Sequence, residues 1–175
     1  GAVTTNNPEL AITMRRFANH GGLIKGEHLI QGINSRLDTI QAAILRIKLG
    51  IVDDWYEKRK NVVGLYSQTL CDLDEIVLPR QRSNTLHAWH LYVIKTKKRD
   101  ELRKFLIENN IPTLINYPIA LPFLPCFDGL NFEEKSFPRA YENQKLILSL
   151  PLHPYLTSEM INYISNHICS FFEKA

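Results

Sequence analysis

The residues with the clearest chemical potential form a short polar run, Gly32-Ile33-Asn34-Ser35-Arg36-Leu37-Asp38, directly before an amphipathic segment. The first turn of a helix presents free N–H groups and the positive end of the helix dipole, so anions bind there. The Asn34 amide and the Arg36 guanidinium could therefore hold a phosphate or a carboxylate. A purely structural arrangement stays open, in which Asn34 supports a turn, Arg36 is a surface charge and Asp38 caps the helix.

A second candidate is Asn116-Tyr117-Pro118, which leads into a stretch rich in proline over residues 118–131. Proline excludes regular structure there, so we predict a loop that could line a pocket. Tyrosine at the edge of an apolar core is an equally ordinary arrangement.

The usual catalytic fingerprints are missing, including phosphate-binding glycine loops and paired-cysteine or zinc motifs. Three cysteines stand far apart, which suits neither a disulfide framework nor a metal site. His87 and His90 are a poor ligand pair, since we expect them on opposite faces of a strand or across a turn. An unrelated α/β enzyme with Cys126 as nucleophile is retained as an alternative.

The first half of the chain is predicted to be mainly helical. Residues 1–5 suggest a strand, and Asn7 is the expected cap of a helix that ends near Phe17. Residues 23–33 predict a short hairpin or irregular loop. Asp38 with Gln41 resembles a capping box, and apolar residues then recur at helical spacing up to residue 70. One long helix, or two nearly continuous ones bent near residues 50–54, should result.

The second half alternates strands and helices, which indicates a small α/β layer. Strands are predicted at 89–96, 113–117 and 146–150, with helices at 100–109 and 139–145. Thr157 should cap a last helix, whose apolar face is predicted to comprise Ile161, Ile164, Ile168 and Phe171.

Composition describes one globular domain and excludes several classes of protein. The 175 residues are 45% hydrophobic and 22% charged, with 21 Lys+Arg against 18 Asp+Glu. This length supports a core without disulfides or metals. The near-average charged fraction argues against a disordered tail, and the interspersed charges argue against nucleic-acid binding. Without a recognisable signal peptide or an apolar run of roughly 18 residues, we expect a cytoplasmic protein with no membrane partner.

Several short segments, taken together in their order along the chain, indicate a protein family more specifically than any one of them does. They include Gly1-Ala2-Val3-Thr4-Thr5-Asn6, His20-Gly21, Gly32-Ile33-Asn34-Ser35-Arg36-Leu37-Asp38, Ala88-Trp89-His90-Leu91-Tyr92-Val93, Ile115-Asn116-Tyr117-Pro118 and Leu148-Ser149-Leu150-Pro151-Leu152-His153-Pro154. The set resembles the carboxyl-terminal part of the sugar-nucleotide aminotransferases of the DegT/DnrJ type, which use pyridoxal 5'-phosphate. The resemblance extends over nearly the whole chain.

The resemblance implies an α/β fold, specifically the α+β small domain of a fold-type I aminotransferase with a long bridging helix. It also implies that the lysine that binds the cofactor lies shortly before the segment matching residues 1–5, and that the acidic partner of the pyridine nitrogen lies further upstream. Neither Lys25 nor Lys48 matches that lysine. The chain is therefore expected to be a fragment of a homodimeric enzyme, and to be inactive alone.

The resemblance further assigns roles to individual residues. Asn34 matches the asparagine that reaches across the dimer interface to the cofactor phosphate of the neighbouring subunit. Arg36 matches an arginine that handles the carboxylate of the amino donor or organises this loop. Asn116 and Tyr117 match a pair, commonly His-Tyr, near the sugar. Asn116 replaces that histidine, and a second common histidine is missing from residues 119–123.

The parent enzyme is expected to transfer an amino group, with glutamate as donor, to a keto-deoxy sugar nucleotide, as in O-antigen or polysaccharide biosynthesis. Residues 115–125 resemble enzymes acting at carbon 3 of a dTDP-linked hexose more than those acting at carbon 4. The resemblance divides the chain into three parts. Residues 1–37 are the end of the large domain with a connecting hairpin or loop, residues 38–71 are the bridging helix, and residues 72–175 are the small α/β domain. The alternative is a stand-alone, non-catalytic binding or dimerisation module derived from that domain.

Overall fold

The structure is a computed structural model that describes residues 1–173. Its backbone contacts divide the chain into two units, Gly1–Ile51 and the residues from Val52 onward. The first unit contains helices α1 (Pro8–Ala18) and α2 (Thr39–Leu49). An irregular segment connects them, as predicted, with one isolated bridge between Asn19 and Asn34.

Helix α1 begins where the sequence predicts. Asn7 Oδ1 accepts a hydrogen bond from Leu10 N at 3.1 Å, and Pro8 occupies the first turn, where its missing N–H costs nothing. The strand predicted for residues 1–5 is wrong. These residues adopt no regular structure and pair with no strand in the described part of the chain. β-branched residues favour a strand only where a neighbouring strand completes the ladder.

Helix α2 begins after Asp38, but the Asp38 side chain makes no capping hydrogen bond, so the predicted capping box does not form. The helix ends at Leu49, and Gly50 and Ile51 separate it from α3 (Val52–Leu70). The apolar periodicity of residues 37–70 therefore produces two helices. Glycine is the natural place for the interruption, because it costs about 1 kcal/mol relative to alanine within a helix.

The second unit places a small sheet among helices. Strands β1 (Tyr92–Lys95) and β2 (Ile147–Leu150) pair antiparallel, with Tyr92 opposite Leu150. The helices are α3, α4 (Arg99–Glu108), α5 (Pro138–Leu146) and α6 (Ser158–Glu173). Three short 3-10 turns, Leu121–Phe123, Pro125–Leu130 and Glu134–Ser136, lie in and after the proline-rich stretch. The predicted α/β layer is confirmed.

The strand predictions differ in accuracy. The strand predicted at 146–150 is confirmed as β2, whereas that at 89–96 is reduced to the four residues of β1. The strand predicted at 113–117 was wrong in extent, since only Leu114 forms a bridge, to Ser149. Pro112 and Pro118 flank this segment and lack the N–H donor that a ladder requires, which limits pairing to its centre.

The core of the second unit forms where α6 packs against α3 and α4. Ile161, Ile164 and Ile168 of α6 are buried as predicted, and Phe172 is buried with them. Phe171, predicted on the same face, is half-buried with its ring 5.4 Å from that of Phe105. The other buried apolar residues are Val62, Val63, Tyr66, Leu70, Ile76, Trp89, Tyr92, Ile94, Leu102, Leu106, Ile111, Leu148 and Leu150.

Within residues 1–173, no helix combines the length and the apolar character needed to cross a bilayer.

Candidate functional site

Asn34 and Arg36 are joined in one hydrogen-bonded cluster with Asn19. Arg36 Nε donates to Asn34 Oδ1 at 3.1 Å, and Arg36 Nη1 donates to Asn19 Oδ1 at 3.2 Å. The Asn19 amide in turn donates to the Gly22 carbonyl at 2.7 Å. One guanidinium therefore bridges two asparagine side chains that lie far apart in sequence, and the two predicted site residues of this segment are brought together.

The main chain fixes this cluster against the end of α1. Ile33 N donates to Phe17 O at 2.7 Å, Ser35 N donates to Ala18 O at 2.9 Å, and His20 N donates to Ile33 O at 3.0 Å. These bonds set residues 33–35 alongside residues 17–20. The position of the Asn34 backbone is therefore fixed by the hydrogen bonds of its neighbours to the last residues of α1.

Two glycines make this close approach possible. A Cβ at Gly32 would contact Gly21 N, and would lie 2.7 Å from Phe17 O. Gly21 has a φ of +91°, a conformation that side-chain-bearing residues rarely adopt, and a Cβ there would collide with the Ile30 carbonyl. The two backbones meet at a distance that only glycine permits.

The donor set of the Asn19, Asn34 and Arg36 cluster suits an anion. Because Arg36 occupies Asn34 Oδ1, the Asn34 amide nitrogen remains as a hydrogen-bond donor. Both side chains are exposed, and Arg36 makes no ion pair with any carboxylate described in residues 1–173. An amide donor beside an uncompensated guanidinium fits the oxygens of a phosphate or carboxylate.

Asn116 and Tyr117 are held differently, in the second unit. Asn116 Oδ1 accepts a hydrogen bond from Ser149 Oγ at 2.9 Å, and the Asn116 side chain is half-buried. Tyr117 is 73% exposed. A pocket of about 380 Å³ opens beside it, lined by Tyr117, Pro118, Ile119, Leu121 and Leu124. The predicted proline-rich loop does line a pocket, and the pocket is largely apolar.

The cysteines and histidines offer no comparable constellation. Cys71 and Cys126 are exposed and Cys169 is half-buried, all as free thiols. Burial raises the pKa of the Cys169 thiol, and a hydrogen bond to Asp72 raises that of Cys71. No hydrogen bond joins Cys126 to a histidine, and no metal-binding group of three side chains occurs, within the described residues. The nucleophile alternative gains no support.

Two partners of the candidate residues were not predicted from the sequence. Asn19 lies just beyond the helix end predicted near Phe17 and has no predicted role, although it anchors Arg36. Ser149 was interpreted as part of a strand, although its hydroxyl binds Asn116. A detectable signal existed for Ser149, because a hydroxyl between two leucines in a buried strand requires a hydrogen-bond partner.

Comparison with known proteins gives a consistent assignment. The model of the DegT/DnrJ/EryC1/StrS aminotransferase family matches residues 1–169. The chain is similar to the dTDP-3-amino-3,4,6-trideoxy-alpha-D-glucose transaminase of Streptomyces venezuelae, with 41% identity covering 89% of this chain and 41% of that protein. It is also similar to a pleiotropic regulatory protein of Geobacillus stearothermophilus, with 38% identity covering 98% of this chain and 47% of that protein.

Among solved structures, Streptomyces venezuelae DesV superposes with a TM-score of 0.88 at 37% identity, covering 96% of this chain and 45% of that one. This likeness confirms the predicted fold class, the α/β carboxyl-terminal region of an aminotransferase. The chain spans about half the length of the curated relatives it matches. It belongs to the DegT/DnrJ/EryC1/StrS aminotransferase family.

Proposed function

We propose that this chain supplies the carboxyl-terminal part of a pyridoxal 5'-phosphate-dependent aminotransferase that acts on a keto-deoxy sugar nucleotide. Family membership supports the reaction type, and a relative named as a dTDP-amino-sugar transaminase supports the substrate class. The single observation that carries the proposal is the bridge from Arg36 to Asn34, which leaves an amide donor beside a guanidinium that pairs with no carboxylate among the described residues.

In this proposal Asn34 binds the phosphate of the cofactor held by the neighbouring subunit of a homodimer. The Asn34 amide donates to a phosphate oxygen, and Arg36 keeps that amide oriented while adding positive charge nearby. The cofactor, when bound, supplies an electron sink for the carbon that gains or loses the amino group. The residues of this chain orient and neutralise the phosphate. The lysine that moves the proton is proposed to lie in the other part of the enzyme.

Arg36 has a second proposed role toward the amino donor, for which glutamate is our candidate. Its hydrogen bonds to Asn34 and Asn19 use only part of its donor fork. The remaining N–H groups can pair with a carboxylate. Both roles require the planar fork, because a lysine ammonium cannot hold two separated amide oxygens and still offer aligned donors.

Replacing Arg36 tests this role. In Arg36→Lys the KM for glutamate should rise about tenfold or more, since a charge-assisted hydrogen bond contributes roughly 1.5–3 kcal/mol. Arg46→Lys on exposed α2 is the matched control and should leave this KM unchanged. Steady-state kinetics on the full polypeptide that the gene encodes provide the measurement. Equal KM values for both variants would contradict the role.

The sugar is proposed to bind near Asn116 and Tyr117, with amination at carbon 3 favoured over carbon 4. The Streptomyces venezuelae relative is named for a 3-amino sugar, which supports this preference. Exposed thiols at Cys71 and Cys126 support a reducing compartment, in keeping with a cytoplasmic site of action.

A second candidate, a stand-alone binding or dimerisation module, is favoured by the core of the second unit, which is built from its own helices and strands. The gene sequence upstream of the Gly1 codon discriminates the two. A reading frame that continues into a large α/β domain containing a lysine supports the aminotransferase. A start codon adjacent to Gly1 supports the module.

The decisive assay uses the full polypeptide that the gene encodes, with glutamate, pyridoxal 5'-phosphate and a dTDP-linked 3-keto-6-deoxyhexose. We expect glutamate-dependent amination of this sugar, and slower amination of the 4-keto isomer. Residues 1–175 alone should show no turnover. Failure of the full polypeptide to aminate either sugar, or turnover by residues 1–175 alone, would overturn the proposal.

A further inference from the structure

The segment from Asn116 to Ala120 is tethered at both ends by the elements that follow it in sequence. At one end Ser149 Oγ donates to Asn116 Oδ1 at 2.9 Å. At the other, Ala120 N donates to Gln144 Oε1 at 2.7 Å. The three residues between, Tyr117, Pro118 and Ile119, are exposed. The part of this loop that could meet a ligand is therefore short and fixed at both sides.

Ser149 makes two main-chain hydrogen bonds to the segment that precedes the loop and one side-chain hydrogen bond to the first residue of the loop. Its main chain exchanges bonds with Leu114, Leu114 N donating to Ser149 O at 3.2 Å and Ser149 N donating to Leu114 O at 2.8 Å. The hydroxyl provides the third bond, to Asn116. Ser149 is only 4% exposed, so its hydroxyl would be costly to bury without that partner.

Gln144 lies in the last turn of α5 and is itself anchored. Arg99 Nη1 donates to the Gln144 carbonyl at 3.2 Å and to the Ile147 carbonyl at 3.4 Å. The Arg99 side chain is 12% exposed, so these bonds form away from bulk water. Arg99 thus satisfies carbonyls at the carboxyl end of α5, where the helix has no internal donors left. The side chain that holds Ala120 therefore starts from a fixed backbone.

We propose that Ser149 and Gln144 are positioning residues for sugar-nucleotide binding, an inference that rests on the proposed function. Ser149 occupies Asn116 Oδ1, so Asn116 presents its amide N–H groups as donors. These donors suit an acceptor oxygen of the substrate, such as a hydroxyl or keto oxygen of the sugar. Gln144 fixes the far end of the loop and thereby sets where Tyr117 stands.

Ser149 is tested by a double-mutant cycle on the full polypeptide that the gene encodes. Ser149→Ala and Asn116→Ala should each raise the KM for the sugar nucleotide by about two- to tenfold, the range for one hydrogen bond. The double variant should resemble Asn116→Ala alone, because Ser149 acts through Asn116. The KM for glutamate should stay unchanged in all three variants.

A buried serine elsewhere in the unit provides the matched control. Ser165 is 1% exposed and accepts a hydrogen bond from Thr69 Oγ1 at 2.8 Å, remote in sequence from the loop. Ser165→Ala should lower stability without changing the KM for the sugar nucleotide. Ser149→Thr, which keeps the hydroxyl, should restore most of the affinity that Ser149→Ala loses.

The role of Gln144 is tested by two variants, one that keeps an oxygen acceptor for Ala120 N and one that lacks it. Gln144→Glu keeps an oxygen acceptor for Ala120 N and should retain the KM for the sugar nucleotide within about twofold. Gln144→Ala removes the acceptor and should raise this KM. Equal KM values for the two variants would overturn the role of Gln144.

The outcomes separate this inference from the function beneath it. Suppose that the wild-type polypeptide aminates a sugar nucleotide and that Ser149→Ala has the same kinetics as Ser165→Ala. This result overturns the positioning role alone. Additive effects of Ser149→Ala and Asn116→Ala overturn it as well. A wild-type polypeptide that aminates no sugar nucleotide overturns the proposed function, and this inference with it.

Discussion

In the unit from Val52 onward, apolar side chains of α3, α4 and α6 form one buried core with the sheet, whereas in Gly1–Ile51 the buried residues are Gly21 and Gly22. Ile94 and Ile168 of the second unit are fully buried, while Ile40 and Ile47 of α2 are 76% and 74% exposed. The second unit is stabilised mainly by the burial of apolar area. The conformation of residues 17–35 in the first depends on main-chain hydrogen bonds and on glycine.

This difference bears on where the candidate chemistry lies. Asn34 and Arg36 belong to the unit without a buried apolar core, and Asn116 and Tyr117 belong to the unit that has one. The positions of these side chains are therefore fixed by different interactions. Asn34 is set by backbone bonds to residues at the end of α1, and Asn116 by a buried hydroxyl of the core sheet.

The largest difference in stability is expected between the replacement of a buried and of an exposed isoleucine in a helix. Ile168→Ala in α6 should destabilise the second unit by about 2–5 kcal/mol, since it removes a fully buried side chain and leaves a cavity. Ile47→Ala in α2 should change the free energy of unfolding by less than about 0.5 kcal/mol. Urea denaturation followed by far-ultraviolet circular dichroism measures both changes, because each unit contains helices. Similar midpoints for both variants would contradict the difference between the two units.

A smaller effect contrasts two glycines. Gly32→Ala should cost the first unit roughly 1–3 kcal/mol, because the new methyl group meets backbone atoms that cannot move independently. Gly64→Ala in α3 faces open space and should stabilise the second unit by up to about 1 kcal/mol. Hydrogen exchange at the Ile33 and Ser35 amides, which bond to α1, measures the first effect. Unchanged exchange in Gly32→Ala would show that glycine is dispensable there.

The smallest effect contrasts two helix caps. Thr157 Oγ1 accepts a hydrogen bond from Met160 N at 3.3 Å, so Thr157→Ala should destabilise the second unit by about 1 kcal/mol. The Asp38 side chain makes no such bond, and Asp38→Ala should cost only the few tenths of a kcal/mol that its charge contributes at a helix start. Thermal unfolding followed by circular dichroism provides the measurement. A larger loss for Asp38→Ala would contradict the assignment of the caps.

Local patterns were predictable from the sequence where neighbouring residues decide the outcome. Asn7 and Pro8 defined the start of α1, and the isoleucine spacing in α6 defined its buried face. Residues 1–5 were assigned wrongly because a strand depends on a partner that composition does not reveal. The strand predicted at 113–117 was too long for a related reason. The flanking prolines limit a ladder that its β-branched residues otherwise favour.

The candidate site was predicted in part. Asn34 and Arg36 stood out because polar residues before an amphipathic helix suggest an anion site. Their link to Asn19 spans 17 positions in the chain and depends on the close approach at Gly32 and Gly21, which periodicity does not encode. The bond from Ser149 to Asn116 spans 33 positions and is equally invisible to local patterns.

We propose that Asn34 binds the phosphate of pyridoxal 5'-phosphate. Equilibrium binding of this cofactor, and of pyridoxal, which lacks the phosphate, to the full polypeptide that the gene encodes tests this role. Asn61→Ala, on an exposed face of α3, is the control and should match the wild type.

We predict that Asn34→Ala weakens binding of pyridoxal 5'-phosphate about tenfold or more and leaves binding of pyridoxal unchanged, because the lost bond is to a charged group. Equal affinity of Asn34→Ala and the wild type for pyridoxal 5'-phosphate would contradict the claim. An equal loss of affinity for pyridoxal would contradict it too, because the effect would then not depend on the phosphate.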